Sequence, residues 1–385
     1  MEHAFRVDLR GVIDLLANHL YSDASVFIRE LLQNAVDAIS ARHGLGQEFE
    51  PEIEVRVGRG PDGLPTLEFR DNGVGLREDE VHEFLSTIGR SSKRISEARG
   101  TFLGQFGIGL LSCFMVSAEI ELLTQSAHGG PPVRWLARSD GRYRLETLSS
   151  PPGLVQPGTT VLLRARQATD FHFGYDGLRG ALASYGQILP YPIHVWGDGQ
   201  YSHVNPALPP WLALAAGDAG RKGEVLAYAR EVLGLEALDA IPLCSGVGGV
   251  QGVALVLPYS AHPGVRPRHQ VYLRRMLLGH DVRNLLPEWA FFVRCLLNVE
   301  ALHPTASREA FYEDGALDKA RAALDTQLRG YIEGLARHDP RRLHALIALH
   351  HLPIKALALS DDALYRLLIH EFSFETSTGR RTLGE

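Results

Sequence analysis

The sequence predicts an α+β fold: helices interleaved with a mostly antiparallel sheet, followed by an α/β segment with a helical C-terminal part. Three observations carry this. In FIRELLQNAVDAIS (27–40) the apolar residues Phe27, Ile28, Leu31, Leu32, Ala35, Val36 and Ile39 recur at a helical period and cover about half the circumference at about 100° per residue. PEIEVRVGRGPDGLPTLEFRDNG alternates at period two on both sides of a Gly/Pro/Asp-Gly turn, which is a hairpin pattern. EIELLTQS, PPVRWLARSDGRYRLETLS and GTTVLLRAR then read as further strands, and helices among such strands form an α+β layer.

Taken in order, residues 9–20 read as a first helix. The 27–40 helix follows, with Ser22 or Asp23 as its N-cap and Gly44 past its end. Residues 79–109 contain helical, polar and glycine-rich pieces in turn, the last leading into an apolar helix, LLSCFMVSA. YDGLRGALASYGQIL reads as a helix and YPIHVW as a strand. The Pro-rich VNPALPPW marks a boundary near 200–210. Beyond it, GEVLAYAREVLG reads as a helix, GVALVLPYS and QVYLRRMLL as strands, and LPEWAFFVRCLLN as another helix. Residues 315–352 are mostly helical, with His344, His350 and His351 expected at helix surface and edge. RPRHQVYLRR reads as a strand with solvated arginines.

Composition narrows the function classes. The chain has 385 residues, 45% hydrophobic and 22% charged, which suits two or three domains with sizeable cores. A formal net charge of -6 argues against nucleic-acid binding driven by bulk charge. The three cysteines, Cys113, Cys244 and Cys295, lie far apart without C-x-x-C spacing, so neither a disulfide framework nor a zinc site is expected. A reducing, cytoplasmic compartment fits. The start lacks a basic segment before an apolar core, so no signal peptide is expected, and no run approaches the ~18 apolar residues of a membrane span. The closing SFETSTGRRTLGE forms no obvious terminal element and reads as a piece of a longer protein.

Glu30, Asn34 and Asp37 fall on one narrow arc of the 27–40 helix, at the margin of its apolar face. RDNGVGL (70–76) ends a strand with an aspartate and glycines at 73 and 75, where backbone can approach a ligand closely. GQFGIG (104–109) precedes a helix, whose free N–H groups favour phosphate. It lacks the Gly-Lys-Ser/Thr ending of a Walker loop. Between them STIGRSSKR is polar and suited to a lid. Each signal alone has a plain structural reading: a turn, a connector, a solvated helix edge. Their joint occurrence, in this order and inside one domain, is much harder to dismiss.

The order FIRELLQNAVDAI, DNGVGL, GQFGIG, GTTV resembles the GHKL ATPases. YSDASVFIRELLQNAVDAI, LSTIGRSSK, LGQFGIGLLSCFMV and YLRRMLL…LLPEWAFFVRCLLN…SREAF are similar to the ninety-kilodalton heat-shock chaperones. The resemblance implies a GHKL (Bergerat) ATP-binding α/β sandwich over 1–200, with a lid at about 86–109. It also implies part of a middle domain over 205–385, with the dimerisation domain absent. By the same resemblance Asn34 coordinates Mg²⁺ on the ATP phosphates and Glu30 orients or deprotonates the attacking water. Asp71 takes the adenine amino group, with Gly75 and Thr160 nearby. Asp37, Ala38, Leu85, Arg90 and Ser91 line the nucleotide, Gly104, Gln105, Phe106, Gly107, Ile108 and Gly109 cradle its phosphates, and Arg308 reaches the γ-phosphate. The implied function is an ATP-dependent chaperone for non-native client proteins, hydrolysing ATP to ADP, homodimeric at full length, with this piece monomeric and no nucleic-acid or membrane partner. Departures stand at Phe84 and Thr305, where the family carries asparagine, and at Tyr312, in place of a glutamine. Two alternatives remain open: a DNA-acting ATPase like MutL or gyrase, and a nucleotide sensor that does not hydrolyse.

Overall fold

Helix α1, Val26–Gly44, forms where the apolar stripe is continuous, and it buries Phe27, Ile28, Leu31, Leu32, Ala35 and Ile39. Each of these side chains other than Ala35 contributes about 1.5–3 kcal/mol relative to exposure. The helix begins after Ser25, and Ser22 and Asp23 lie outside the described residues. In this computed structural model those are 25–85, 109–149, 157–166, 173–260, 268–280, 282, 284–305, 310–358, 362–369, 373–377 and 379–382. The chain divides into two compact units, Met1–Ala207 and Leu208–Glu385.

In the first unit the predicted hairpin is present: β1, Ile53–Arg59, pairs antiparallel with β2, Pro65–Asp71. Next come α2, Glu78–Leu85, and the strands β3, Ser117–Gln125, β4, Val133–Arg138, β5, Tyr143–Thr147, and β6, Gly158–Ala165. After these come α3, Tyr175–Gly186, β7, Ile193–Gly197, and β8, Gln200–His203. The eight strands lie in the order β5-β4-β3-β6-β2-β1-β7-β8, antiparallel except where β7 pairs parallel with β1. Helix α1 packs against β2 and α3. LLSCFMVSA differs from expectation. A 3₁₀ helix covers only Gly109–Met115, and β3 has begun by Ser117, because Ser117 already pairs with Ala165 of β6.

The second unit holds α4, Pro210–Ala215, α5, Lys222–Leu233, β9, Asp239–Ser245, and β10, Val250–Val256. It continues with β11, Gln270–Leu273, β12, Met276–Gly279, β13, Val293–Val299, α6, Gly315–His338, and α7, Pro340–Ala358. The sheet order is β12-β11-β13-β10-β9. Two expectations are corrected here. QVYLRRMLL is a hairpin rather than one strand, turning at Arg274 (φ 49°) and Arg275 (φ 67°). LPEWAFFVRCLLN gives no helix: β13 lies between β10 and β11 and is buried on both faces. A short, continuously apolar run has no period that separates such a strand from a buried helix.

His350 is a third correction, since it is buried rather than at a helix edge. Pro353 lies inside α7 and cannot donate a backbone hydrogen bond, and the helix kinks at His350 (φ -117°, ψ 37°). The kink turns the imidazole inward, with Nε2 2.9 Å from the Leu257 carbonyl oxygen and the ring 5.8 Å from that of Phe292.

Candidate functional site

The site is built on α1 and the turn that follows β2. At one end of α1 the Glu30 carboxylate is buried and paired with its buried neighbour Arg29 at 3.1 Å. Gly109, which opens the 3₁₀ helix, comes so close that a Cβ there would stand 2.4 Å from Glu30 Oε2. Cys113 of the same 3₁₀ helix is held as the protonated thiol, first by burial and then by the Glu30 charge. Asn34, one turn after Glu30, is exposed, while Asp37 is buried and Ala38 half-buried.

At the far end of the arc the Asp71 turn docks on the helix. Val74 N–H donates to the Ala38 carbonyl at 2.9 Å, and a Cβ on Gly73 would stand 2.5 Å from the Ala38 backbone. Gly75, at φ +61°, passes so near β3 that a Cβ would overlap the Gln125 carbonyl. Only glycine fits a positive φ with that approach. Asp71 Oδ1 accepts from Gly73 N–H at 2.8 Å. Burial pushes the Asp71 carboxyl up to about 7, against the opposing pull of backbone N–H groups of Gly73 and Thr159 and the charge of Arg70. From Glu30 to Ala38 the helix rises about 12 Å at 1.5 Å per residue.

Helix α1 carries Glu30, Asp37 and Ala38, with Gly109 against Glu30 and the turn after Asp71 against Ala38, while Gly75 of that turn lies against Gln125 of β3. Leu85 ends α2, half-buried. That helix is tied to β5 by Thr147 Oγ1 donating to Glu78 Oε2 at 3.0 Å and by the His82 Nδ1–Tyr143 hydroxyl contact at 3.2 Å. Arg90, Ser91, Gly104, Gln105, Phe106, Gly107, Ile108 and Arg308 lie outside the described residues, as does most of the expected lid.

Thr160 requires a correction. It pairs with Arg70, so it projects to the sheet face opposite Asp71, whereas Thr159 is in register with Asp71 and shares its face. The Thr159 hydroxyl lies 3.1 Å from that of Thr124, which donates to the Gly158 carbonyl and accepts from Leu76 N–H at 2.9 Å. Thr124, Thr159 and Arg29 escaped the sequence reading. For the threonines, the signal available was strand alternation counted from Asp71.

This donor set suits a nucleotide with a hard cation. A buried carboxyl at one end can accept from an exocyclic amine, and glycine backbone closes on a carboxylate at the other. The amide oxygen of Asn34 is a hard ligand, and a single one leaves most of a Mg²⁺ shell to phosphate oxygens and water.

Residues 21–136 match the family described as histidine kinase-, DNA gyrase B-, and HSP90-like ATPase. The chain is similar to the chaperone protein HtpG of Nitrosomonas europaea, 29% identical over 88% of this chain and 58% of the relative. It is 28% identical to HtpG of Methylococcus capsulatus, over 89% and 58% of the two chains. Its likeness to the mitochondrial heat shock protein 75 kDa of Bos taurus is 25% over 89% of this chain and 50% of the relative. The chain thus spans little more than half the length of these relatives.

Proposed function

Since the chain belongs to the Hsp90/HtpG family and carries a GHKL ATPase domain, we propose that it is the nucleotide-driven part of a chaperone. It binds ATP with Mg²⁺ along α1 and hydrolyses it slowly, in a clamp cycle that acts on non-native client proteins. In the whole protein this reading includes a homodimer and a cytoplasmic location, with an N-terminal domain over 1–200 and a partial middle domain over 205–385.

The observation that carries the reading is the pairing of a buried Asp71 at one end of α1 with a buried Glu30 facing Gly109 at the other. Asp71, as carboxylate, accepts from the adenine amino group, and Thr159 stands beside it. Arg29 fixes the Glu30 carboxylate, which positions water and takes its proton. Asn34 supplies the protein oxygen for Mg²⁺, whose chemistry is charge neutralisation on the phosphates. The lid over about 86–109, with Arg90 and Ser91 and the 104–109 glycines, closes on the nucleotide. Arg308 supplies the charge that meets the γ-phosphate, worth several orders of magnitude in rate where an arginine acts so.

Single-turnover hydrolysis of Mg-ATP tests the assignment. The chain turns over, Glu30→Ala binds ATP without hydrolysis, and Asp71→Asn loses binding. Wild-type turnover no faster than that of Glu30→Ala would instead favour a nucleotide sensor.

A further inference from the structure

The second unit concentrates positive charge at one end of its sheet, and the topology explains why. β10 runs antiparallel to β13, β11 parallel to β13, and β12 antiparallel to β11. The C-terminal ends of β10 and β12 therefore meet the N-terminal ends of β11 and β13. Tyr259 follows β10, His280 follows β12, Arg268 precedes β11, and Arg294 is the second residue of β13. Continuing the Gln270–Leu296 register back by two residues brings Arg268 alongside Arg294.

Arg294 is half-buried, and its Nε is fully buried with no hydrogen-bond partner. The charged and titratable groups that bear on it are Tyr259, Arg268, Tyr272 and Tyr228 of α5; those that bear on His280 are Arg268 and Arg294. Among the described residues no carboxylate pairs with Arg268, His280 or Arg294. Burial and this mutual repulsion hold Arg294 and His280 below their ordinary pKa values. A partly buried guanidinium without a counter-charge is unfavourable unless something else supplies the charge. Arginine forks match the oxygens of phosphate, and tyrosyl hydroxyls can donate to the same anion.

We propose that Arg294, Arg268 and His280, rimmed by Tyr259 and Tyr228, form a binding site for a phosphate-class oxyanion, either free phosphate or the phosphate group of a small metabolite. The site lies wholly within the second unit and does not depend on the nucleotide reading. Two guanidinium forks and an imidazole that can donate through a ring N–H, arriving from separate strand ends, suit a tetrahedral anion better than a planar carboxylate.

The test is calorimetric titration of the whole chain with inorganic phosphate and with glycerol 3-phosphate, beside melting curves in phosphate and in chloride of matched ionic strength. Phosphate is expected to bind and to raise the melting temperature beyond chloride. Loss of a charge-assisted contact in Arg294→Met or Arg268→Gln weakens binding roughly tenfold to a hundredfold. Prior saturation of the chain with a non-hydrolysable ATP analogue leaves it unchanged, which separates this site from the nucleotide site. Arg294→Met should also melt higher than wild type without phosphate, since the unmatched charge is gone; a purely structural arginine would give the reverse. Tighter binding of the ester assigns the site to a metabolite, and equal binding assigns it to free phosphate. An equal response in chloride, or a phosphate response kept by both variants, overturns the proposal. Should Arg294→Met fail to fold, Arg268→Gln at its exposed position decides.

Discussion

The Asp71 carboxyl illustrates how one residue links stability to ligand. Its folded-state pKa, about 7, is raised above the unfolded value by burial. The stability it contributes is therefore fully present below the unfolded pKa and is lost as pH rises through about 7. The melting temperature of the ligand-free chain should fall between about pH 4 and pH 7, and Asp71→Asn should flatten that component of the curve. If Asp71 takes the adenine amino group as proposed, it does so ionised, so ATP affinity should decline below about pH 7, with proton release on binding. Titration calorimetry in buffers of different ionisation enthalpy reads both, and an affinity level across that range would remove Asp71 from the adenine contact. Glu30, Asp37 and Asp71 were legible in the sequence because acids interrupt apolar patterns. Thr159 was not, since a step of one residue in a strand exchanges faces. Arg29 reads as a solvated charge until its burial beside Glu30 is seen.

Glycines distinguish one element from another by what surrounds them. Gly73 lies against the Ala38 backbone, so Gly73→Ala must push the turn away from α1 and should destabilise by about 1–3 kcal/mol. Gly180, inside α3, has open space around its Cβ position, so Gly180→Ala should stabilise by about 0.5–1 kcal/mol. Urea unfolding of the two variants checks the opposite signs. Elements with clear periods, such as α1, the β1–β2 hairpin and α6, could be read in advance. β13 could not, because central strands lose the alternation that marks them. Nor could α7 be read in detail: its composition is helical, yet Pro353 bends it and buries His350.

At the scale of the molecule, the net charge of -6 opposes broad attraction to nucleic acid. Duplex DNA should leave the ATPase rate unchanged at physiological salt, and a stimulated rate would favour the DNA-acting alternative. Among the described residues no helix is long and apolar enough to cross a membrane. The two compact units divide between Ala207 and Leu208. The order of strands in the first unit bears on how the chain is made. β1 receives β2 on one side from its own hairpin, but on the other it waits for β7, Ile53 pairing with Ile193. On the ribosome the hairpin therefore emerges with a bare strand edge long before its cover is translated, and such an edge invites pairing with other chains. A chain released just before β7 should aggregate where one carried past β8 stays dispersed, so a protein of chaperone kinship itself passes through a stage that needs protection.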